Sequence, residues 1–77
     1  MKRTTHSRID LDSATSDELL AVENDPTAHD AQHAFALQTR LARRDRAASM
    51  LGSAAHHEAL AEHAYNALPA ALRWRAQ

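Results

Sequence analysis

The large apolar side chains recur at intervals of three and four residues, the spacing of one face of an α-helix. Three segments of the sequence show this spacing, at about 16–24, 26–51 and 54–68. The sequence lacks the alternating runs and Asn-Gly or Asp-Gly turns that predict strands. The pattern therefore predicts an all-α fold in a three- to four-helix arrangement. Its main part is a long helical hairpin, 26–51 against 54–68, with the short N-terminal helix 16–24 beside it.

Capping residues indicate where these helices begin and end. Thr15 and Glu18 have the spacing of a capping box, which places the start of the first helix. Asp25 is a favourable N-cap for the second helix, with Pro26 at its first helical position. Gly52, the only glycine of the sequence, suits the C′ position that ends the second helix.

The two ends of the sequence lack helical periodicity. Residues 1–12 are mostly polar and predict a flexible or extended arm, in which Ile9 and Leu11 are the anchoring side chains. Residues 70–77 follow a proline and predict a C-terminal turn or tail. At 77 residues the sequence predicts a single small helical domain, 1–77.

The composition offers little material for a core. Eighteen residues are alanine, which favours helices but contributes little free energy when buried. The sequence has no cysteine, so disulfides do not stabilise it. Chains this small usually need further stabilisation, and the remaining sources are a histidine-bound metal, self-association or a partner. We predict self-association as a homodimer. The apolar row of the second helix is the predicted self-association or core seam, and it consists of Ala34, Leu37, Leu41, Ala48 and Leu51.

Arginines are concentrated in the second half of the long helix. Arg40, Arg43 and Arg44 share one face at i, i+3 and i+4, and Arg46 is nearby. Residues 9–39 contain seven acidic residues and neither lysine nor arginine. Either acids of the first helix balance these arginines, or the four form a partner-binding surface. An acidic protein fits such a surface, and nucleic-acid phosphate is the alternative.

Six histidines raise the question of a metal site. His29 and His33 share one helix face, and His56 and His63 share another. In a straight hairpin His33 and His63 lie at levels about 12 Å apart, so the two pairs cannot meet at one ion. We therefore predict no metal and no cofactor. The interpretations of these histidines are solvated helix faces, a pH-responsive interface, or a metal shared between the chains of an oligomer, which nothing in the sequence requires.

Catalytic patterns are missing from the sequence. Ser49 and Ser53 lack the surroundings of a nucleophile elbow, and a single glycine cannot build a phosphate-binding loop. The predicted function is a non-enzymatic, small helical regulator or inhibitor that binds a larger protein. A nucleic-acid-binding regulator that uses Arg40, Arg43 and Arg44 is the alternative.

The formal net charge of −1 gives no general attraction to nucleic acid or membranes. No apolar run approaches the length of a membrane-spanning helix, and the N-terminus lacks the apolar stretch of a secretory signal. We therefore predict a cytoplasmic protein without membrane contact. Arginine outnumbers lysine eight to one, which, with the abundant alanine, is typical of bacterial or phage proteins from GC-rich genomes.

Overall fold

The computed structural model describes residues 8–76, and all regular secondary structure in this range is helical. The elements are α1 (Ser16–Asn24), α2 (Asp30–Ala47), α3 (Leu51–Asn66) and a single 3₁₀ turn (Ala70–Leu72). Helix α2 packs against both α1 and α3. The predicted all-α class is confirmed.

The segment before α1 is held by one buried leucine and one aspartate-stabilised turn. Leu11 is fully buried, whereas Ile9, the other predicted anchor, is 39% exposed. Asp10 Oδ1 accepts hydrogen bonds from the backbone amides of Asp12 at 3.0 Å and Ser13 at 3.2 Å. These bonds shape the turn that leads into α1. Residues 1–7 of the predicted arm lie outside the described residues.

Helix α1 begins at the predicted capping box. The backbone amide of Glu18 donates to Thr15 Oγ1 at 3.1 Å, and the amide of Thr15 donates to Glu18 Oε1 at 2.7 Å. The helix buries Leu19 and Val22 against α2. The predicted bounds of this helix, 16–24, are confirmed. Its start could be predicted because the capping box is local in sequence.

Helix α2 begins at Asp30, so the predicted start at Pro26 is wrong. Asp25 Oδ1 accepts from the backbone amide of Thr27 at 2.9 Å and from its hydroxyl at 2.6 Å. This side-chain turn competes with helix formation, because the Thr27 amide bonds to Asp25 and is not oriented along a helix axis. His29 then serves as the N-cap, although its imidazole is an unusual capping group.

Helix α2 also ends earlier than predicted, at Ala47 instead of residue 51. Ser49 adopts a left-handed conformation with φ of 61°. The amide of Met50 donates to the carbonyl oxygen of Asp45 at 2.8 Å, and that of Ser49 donates to Arg46 at 3.0 Å. This pair of bonds is a Schellman motif with serine at C′.

The predicted role of Gly52 is therefore wrong, because the left-handed residue is Ser49. Gly52 lies inside the first turn of α3, which spans Leu51–Asn66 instead of the predicted 54–68. Glycine is the residue most often found at C′, but serine occupies that position here.

Glycine at position 49 and alanine at position 52 should each stabilise the protein. Ser49→Gly should raise the free energy of unfolding by about 0.5–1 kcal/mol, because glycine adopts the left-handed conformation without steric cost. Gly52→Ala should raise it by about 0.5–1 kcal/mol, because alanine is the better helix former. Apart from its chain neighbours and the backbone of its own helix, the methyl group that Gly52→Ala adds has no atom within 4 Å. Urea denaturation measures both changes. A destabilised Gly52→Ala variant would contradict the helical assignment of this position.

The core lies where the three helices and the C-terminal segment meet. Phe35, Tyr65 and Trp74, the only aromatic residues of the sequence, form one cluster within it. Their rings pack edge to face, with centroids 4.8 Å apart for Tyr65 and Trp74 and 5.0 Å apart for Phe35 and Trp74. The buried apolar residues around this cluster are small or aliphatic: Leu11, Ala14, Leu19, Val22, Ala31, Ala36, Ala61, Ala64, Leu68 and Leu72.

The predicted seam of α2 is not part of this core. Leu37 and Leu41 are half-buried, and Ala34, Ala48 and Leu51 are exposed. Successive helical residues turn by about 100°, so Leu37 lies about 200° around the axis from the core residue Phe35. We call the uncovered row Ala34, Leu37, Leu41 and Ala48 the outer face of α2. The core interpretation of the seam is wrong, and self-association through it stays a prediction.

Candidate functional site

Two of the four predicted partner-binding arginines are engaged within the fold. Arg40 donates to both carboxylate oxygens of Glu23 in α1, at 2.5 and 2.9 Å. Arg43 donates to the backbone carbonyl oxygens of Ala14 at 2.7 Å and Asp12 at 3.4 Å. Both guanidinium groups therefore fasten α2 to α1 and to the segment before it. One of the two predicted alternatives was that acids of the first helix balance the arginines. For Arg40 this acid is Glu23.

The other two arginines lie at the surface in the last turn of α2. The side chain of Arg44 is 68% exposed, and its nearest carboxylate contact is the neighbouring Asp45 at 3.3 Å. Arg46 pairs with Glu58 of α3, and both of these side chains are more than half exposed. Exposed ion pairs contribute little to stability, so these side chains can be rearranged at low cost.

An exposed apolar pair lies directly beyond these arginines. Met50 and Leu51 are 53% and 59% exposed, the highest values among the large apolar residues of the described chain. Met50 is the last residue of the Schellman motif and Leu51 follows it, so the hydrogen bonds of the motif fix the backbone at the start of α3. We call Arg44, Arg46, Met50 and Leu51 the α2–α3 tip.

A polar cluster supports the tip from inside. Asp45 is buried, and Ser53 donates its hydroxyl proton to Asp45 Oδ2 at 2.5 Å. This hydrogen bond is the main reason that the pKa of Asp45 lies below its ordinary value, and Arg44 lowers it further, whereas burial acts in the opposite direction. His57 Nε2 lies 3.6 Å from the same carboxylate, and its Nδ1 lies 2.6 Å from Gln38 Oε1.

This cluster joins the ends of two helices and does not resemble an activated nucleophile. A nucleophilic serine gives its proton to a histidine, which a carboxylate orients. Here the Ser53 hydroxyl donates to the carboxylate itself. The arrangement fixes the end of α2 against the start of α3.

A second charged cluster surrounds the guanidinium of Arg75. Arg75 Nε and Nη2 donate to the two carboxylate oxygens of Asp12 at 2.7 and 2.8 Å, and Nη1 donates to Glu62 at 2.7 Å. Its Cζ atom lies 4.4 Å from the centre of the Tyr65 ring. Trp74 Nε1 donates to Asp12 Oδ2 at 2.7 Å. We call Asp12, Glu62, Tyr65 and Trp74 the guanidinium cage.

The electrostatics of the cage favour the charged forms of its members. The hydrogen bond from Arg75 is the main reason that the pKa of Asp12 lies below its ordinary value. Asp12 and then Glu62 raise the pKa of Arg75. The sequence alone does not predict this site, because Asp12 and Arg75 are 63 positions apart and neither belongs to a periodic pattern.

The histidines are distributed over separate local roles. The imidazole of His29 accepts a hydrogen bond at the N-terminus of α2, and His33 Nε2 lies 2.6 Å from the carbonyl oxygen of Asp25. His56 and His63 are exposed on α3. Within residues 8–76, no group of three or more histidine, aspartate or glutamate side chains is arranged to hold a metal ion.

Two further findings concern membrane spans and similarity to known proteins. None of the helices in the described part of the chain combines the length and the apolar character needed to cross a membrane. No protein-family model, curated protein or solved structure matches the sequence.

Proposed function

We propose that the protein is a non-enzymatic helical binding module that regulates or inhibits a larger protein by docking its α2–α3 tip. The observation that carries this proposal is the exposure of Met50 and Leu51 at a turn with fixed backbone geometry. The partner that fits this surface is a protein with an apolar recess bordered by carboxylates.

The apolar part of the tip has the properties of a binding anchor. Water-exposed large apolar side chains that adjoin one another are typical of interaction sites. Methionine adapts its shape to a partner's surface, because its side chain is unbranched and polarisable. Ser49 holds a left-handed conformation immediately before the pair, and such local strain is often found at functional positions.

The charged part of the tip supplies direction and specificity. Arg44 and Arg46 lie in the last turn of α2, shortly before the apolar pair in the sequence, and guanidinium groups pair with carboxylates in bidentate geometry. Because Arg40 and Arg43 are engaged by groups of α1 and the preceding segment, the proposal assigns recognition to Arg44 and Arg46. Nucleic-acid binding is less well supported, because the carboxylates of Glu58 and Asp45 adjoin these two arginines.

A paired substitution at the tip should abolish partner binding without unfolding the protein. Met50→Ser places a favourable residue at the N-cap of α3, and Leu51→Glu places an acid in its first turn, so the helix is retained. The double variant should bind the partner at least tenfold more weakly, as expected for the loss of central anchors. The matched control is Leu20→Glu, an exposed leucine of α1 that lies outside the tip.

The measurement begins with affinity capture from cells of the native host, followed by titration of the purified partner against all three proteins. Equal affinity of the tip variant and the wild type would refute the proposal. If nuclease treatment removes the captured material and its binding weakens steeply with salt, the nucleic-acid alternative is correct.

Homodimer formation is the second part of the proposal and concerns another surface. The outer face of α2 leaves Leu37 and Leu41 half-buried, and a second copy would cover them. This face adjoins the tip at Arg44, which follows Leu41 by three positions on the same helix face, but Met50 and Leu51, the residues changed in the tip variant, do not belong to it. Sedimentation velocity on the wild type, the tip variant and Leu20→Glu therefore distinguishes the two surfaces. If the tip variant sediments like the wild type but no longer binds the partner, partner binding belongs to the tip and self-association does not.

A further inference from the structure

We infer that the guanidinium cage is a binding site for arginine side chains, which the chain's own Arg75 occupies and which accepts a guanidinium ion supplied from solution when Arg75 is removed. This inference is independent of the proposed docking surface, because the cage and the α2–α3 tip share no residue.

The cage recognises the shape of a guanidinium as well as its charge. Asp12 accepts two parallel hydrogen bonds, and Glu62 accepts a third from a different edge of the same planar group. The guanidinium carbon lies over the ring of Tyr65, 4.4 Å from its centre, which is within the distance of a cation–π contact. An ammonium ion cannot form the bidentate pair and the stack at once.

The cage has its shape without help from the side chain that fills it. Glu62 and Tyr65 lie on the same helix, α3, one turn apart. The indole N–H of Trp74 donates to Asp12, and the indole in turn packs against the rings of both Phe35 and Tyr65. Shortening the Arg75 side chain therefore leaves the accepting groups near their present positions.

A ligand can reach the cage from solvent. The side chain of Arg75 is 33% exposed. A cleft of about 230 Å³ adjoins it, lined by Thr39, Arg43 and Glu58 among others. Arg75 itself belongs to residues 73–76, which form no regular secondary structure. An arginine carried by another chain could occupy the same position by this route.

Chemical rescue of the Arg75→Ala variant tests the inference. Removal of the guanidinium should lower the melting temperature, and ethylguanidinium should raise it again in a saturable way. At ten times the dissociation constant, the expected rise is about 6–11 °C. Ethylammonium, which carries the same charge without the planar fork, should give no saturable rise. Should Arg75→Ala be unfolded in buffer, recovery of helical circular dichroism on adding ethylguanidinium is the corresponding result.

The double variant Asp12→Asn/Arg75→Ala shows whether the response comes from the cage. The asparagine keeps the size of the side chain but loses the bidentate carboxylate, so ethylguanidinium should no longer stabilise the protein. The inference is overturned by any of three results: no response in Arg75→Ala, an equal response to ethylammonium, or an equal response in the double variant. None of these results bears on partner binding by the tip.

Discussion

Replacing Phe35 with alanine should lower the free energy of unfolding by about 3–5 kcal/mol, which is most of the stability expected for so small a domain. Phe35 is 2% exposed and packs against Trp74 and Tyr65, with ring centroids 5.0 and 6.4 Å away. Its removal leaves a cavity and takes a member out of the only aromatic cluster. Thermal unfolding followed by circular dichroism should show a much lower midpoint or no cooperative transition.

Leu41→Ala is the matched control on the same helix. It also removes a large apolar side chain, but one on the outer face of α2 that is only half-buried. The expected loss is about 1 kcal/mol, because less apolar surface returns to water. The comparison decides which face of α2 is the core. A larger loss for Leu41→Ala than for Phe35→Ala would mean that the seam predicted from the sequence is the true core face.

Acidification should destabilise the protein steeply below pH 4, after little change between pH 7 and pH 5. The pKa of Asp45 and that of Asp12 lie below their ordinary value of 3.8 in the folded chain. Unfolding therefore takes up protons in this range, so stability falls as the pH falls. The stabilisation is complete above pH 3.8, the ordinary value, and is lost as the pH drops through the lowered pKa values of the folded state. Melting temperatures measured from pH 7 to pH 2 give this profile.

Ser53→Ala identifies the contribution of Asp45. Without the hydroxyl donor, the pKa of Asp45 in the folded chain rises toward its unfolded value, so stability should depend less on pH below 4. Ser13→Ala is the control, because it removes a hydrogen bond of the same kind from the exposed Asp10. Parallel profiles for Ser53→Ala and the wild type would exclude Asp45 as a source of the acid sensitivity.

The helices could be predicted from the sequence where their signals are local. The Thr15 and Glu18 pair determines the start of α1 over four positions, and the structure contains both of its hydrogen bonds. The ends of α2 could not be predicted in this way. At both ends a less common residue takes the capping position, His29 at the start and Ser49 after the end, where Pro26 and Gly52 gave the stronger sequence signals.

The core face of α2 could not be predicted from the sequence, because few of its side chains are large and apolar. Leucines mark the outer face, whereas the buried face contains alanines, one phenylalanine and two polar residues, Gln32 and Asp45. Alanine occurs on every face of this helix, so its periodicity carries no information. The polar residues are buried because partners satisfy them: Asp45 accepts from Ser53 of α3, and Gln32 accepts from the backbone amide of His29 at 2.8 Å. The partner of Asp45 lies in another helix, so the pattern of α2 alone does not reveal it.

The guanidinium cage joins the segment before α1 to the last residues of the described chain, 63 positions away. Closing so long a loop is entropically costly until the intervening helices have packed, and α3 itself supplies half of the cage. Contacts that form after the folding barrier slow unfolding and leave the folding rate unchanged. The cage should therefore determine how long each molecule stays folded. It should also make separation of the segment before α1 from residues 73–76 rare, so that the aromatic cluster is seldom exposed to proteases and to other chains.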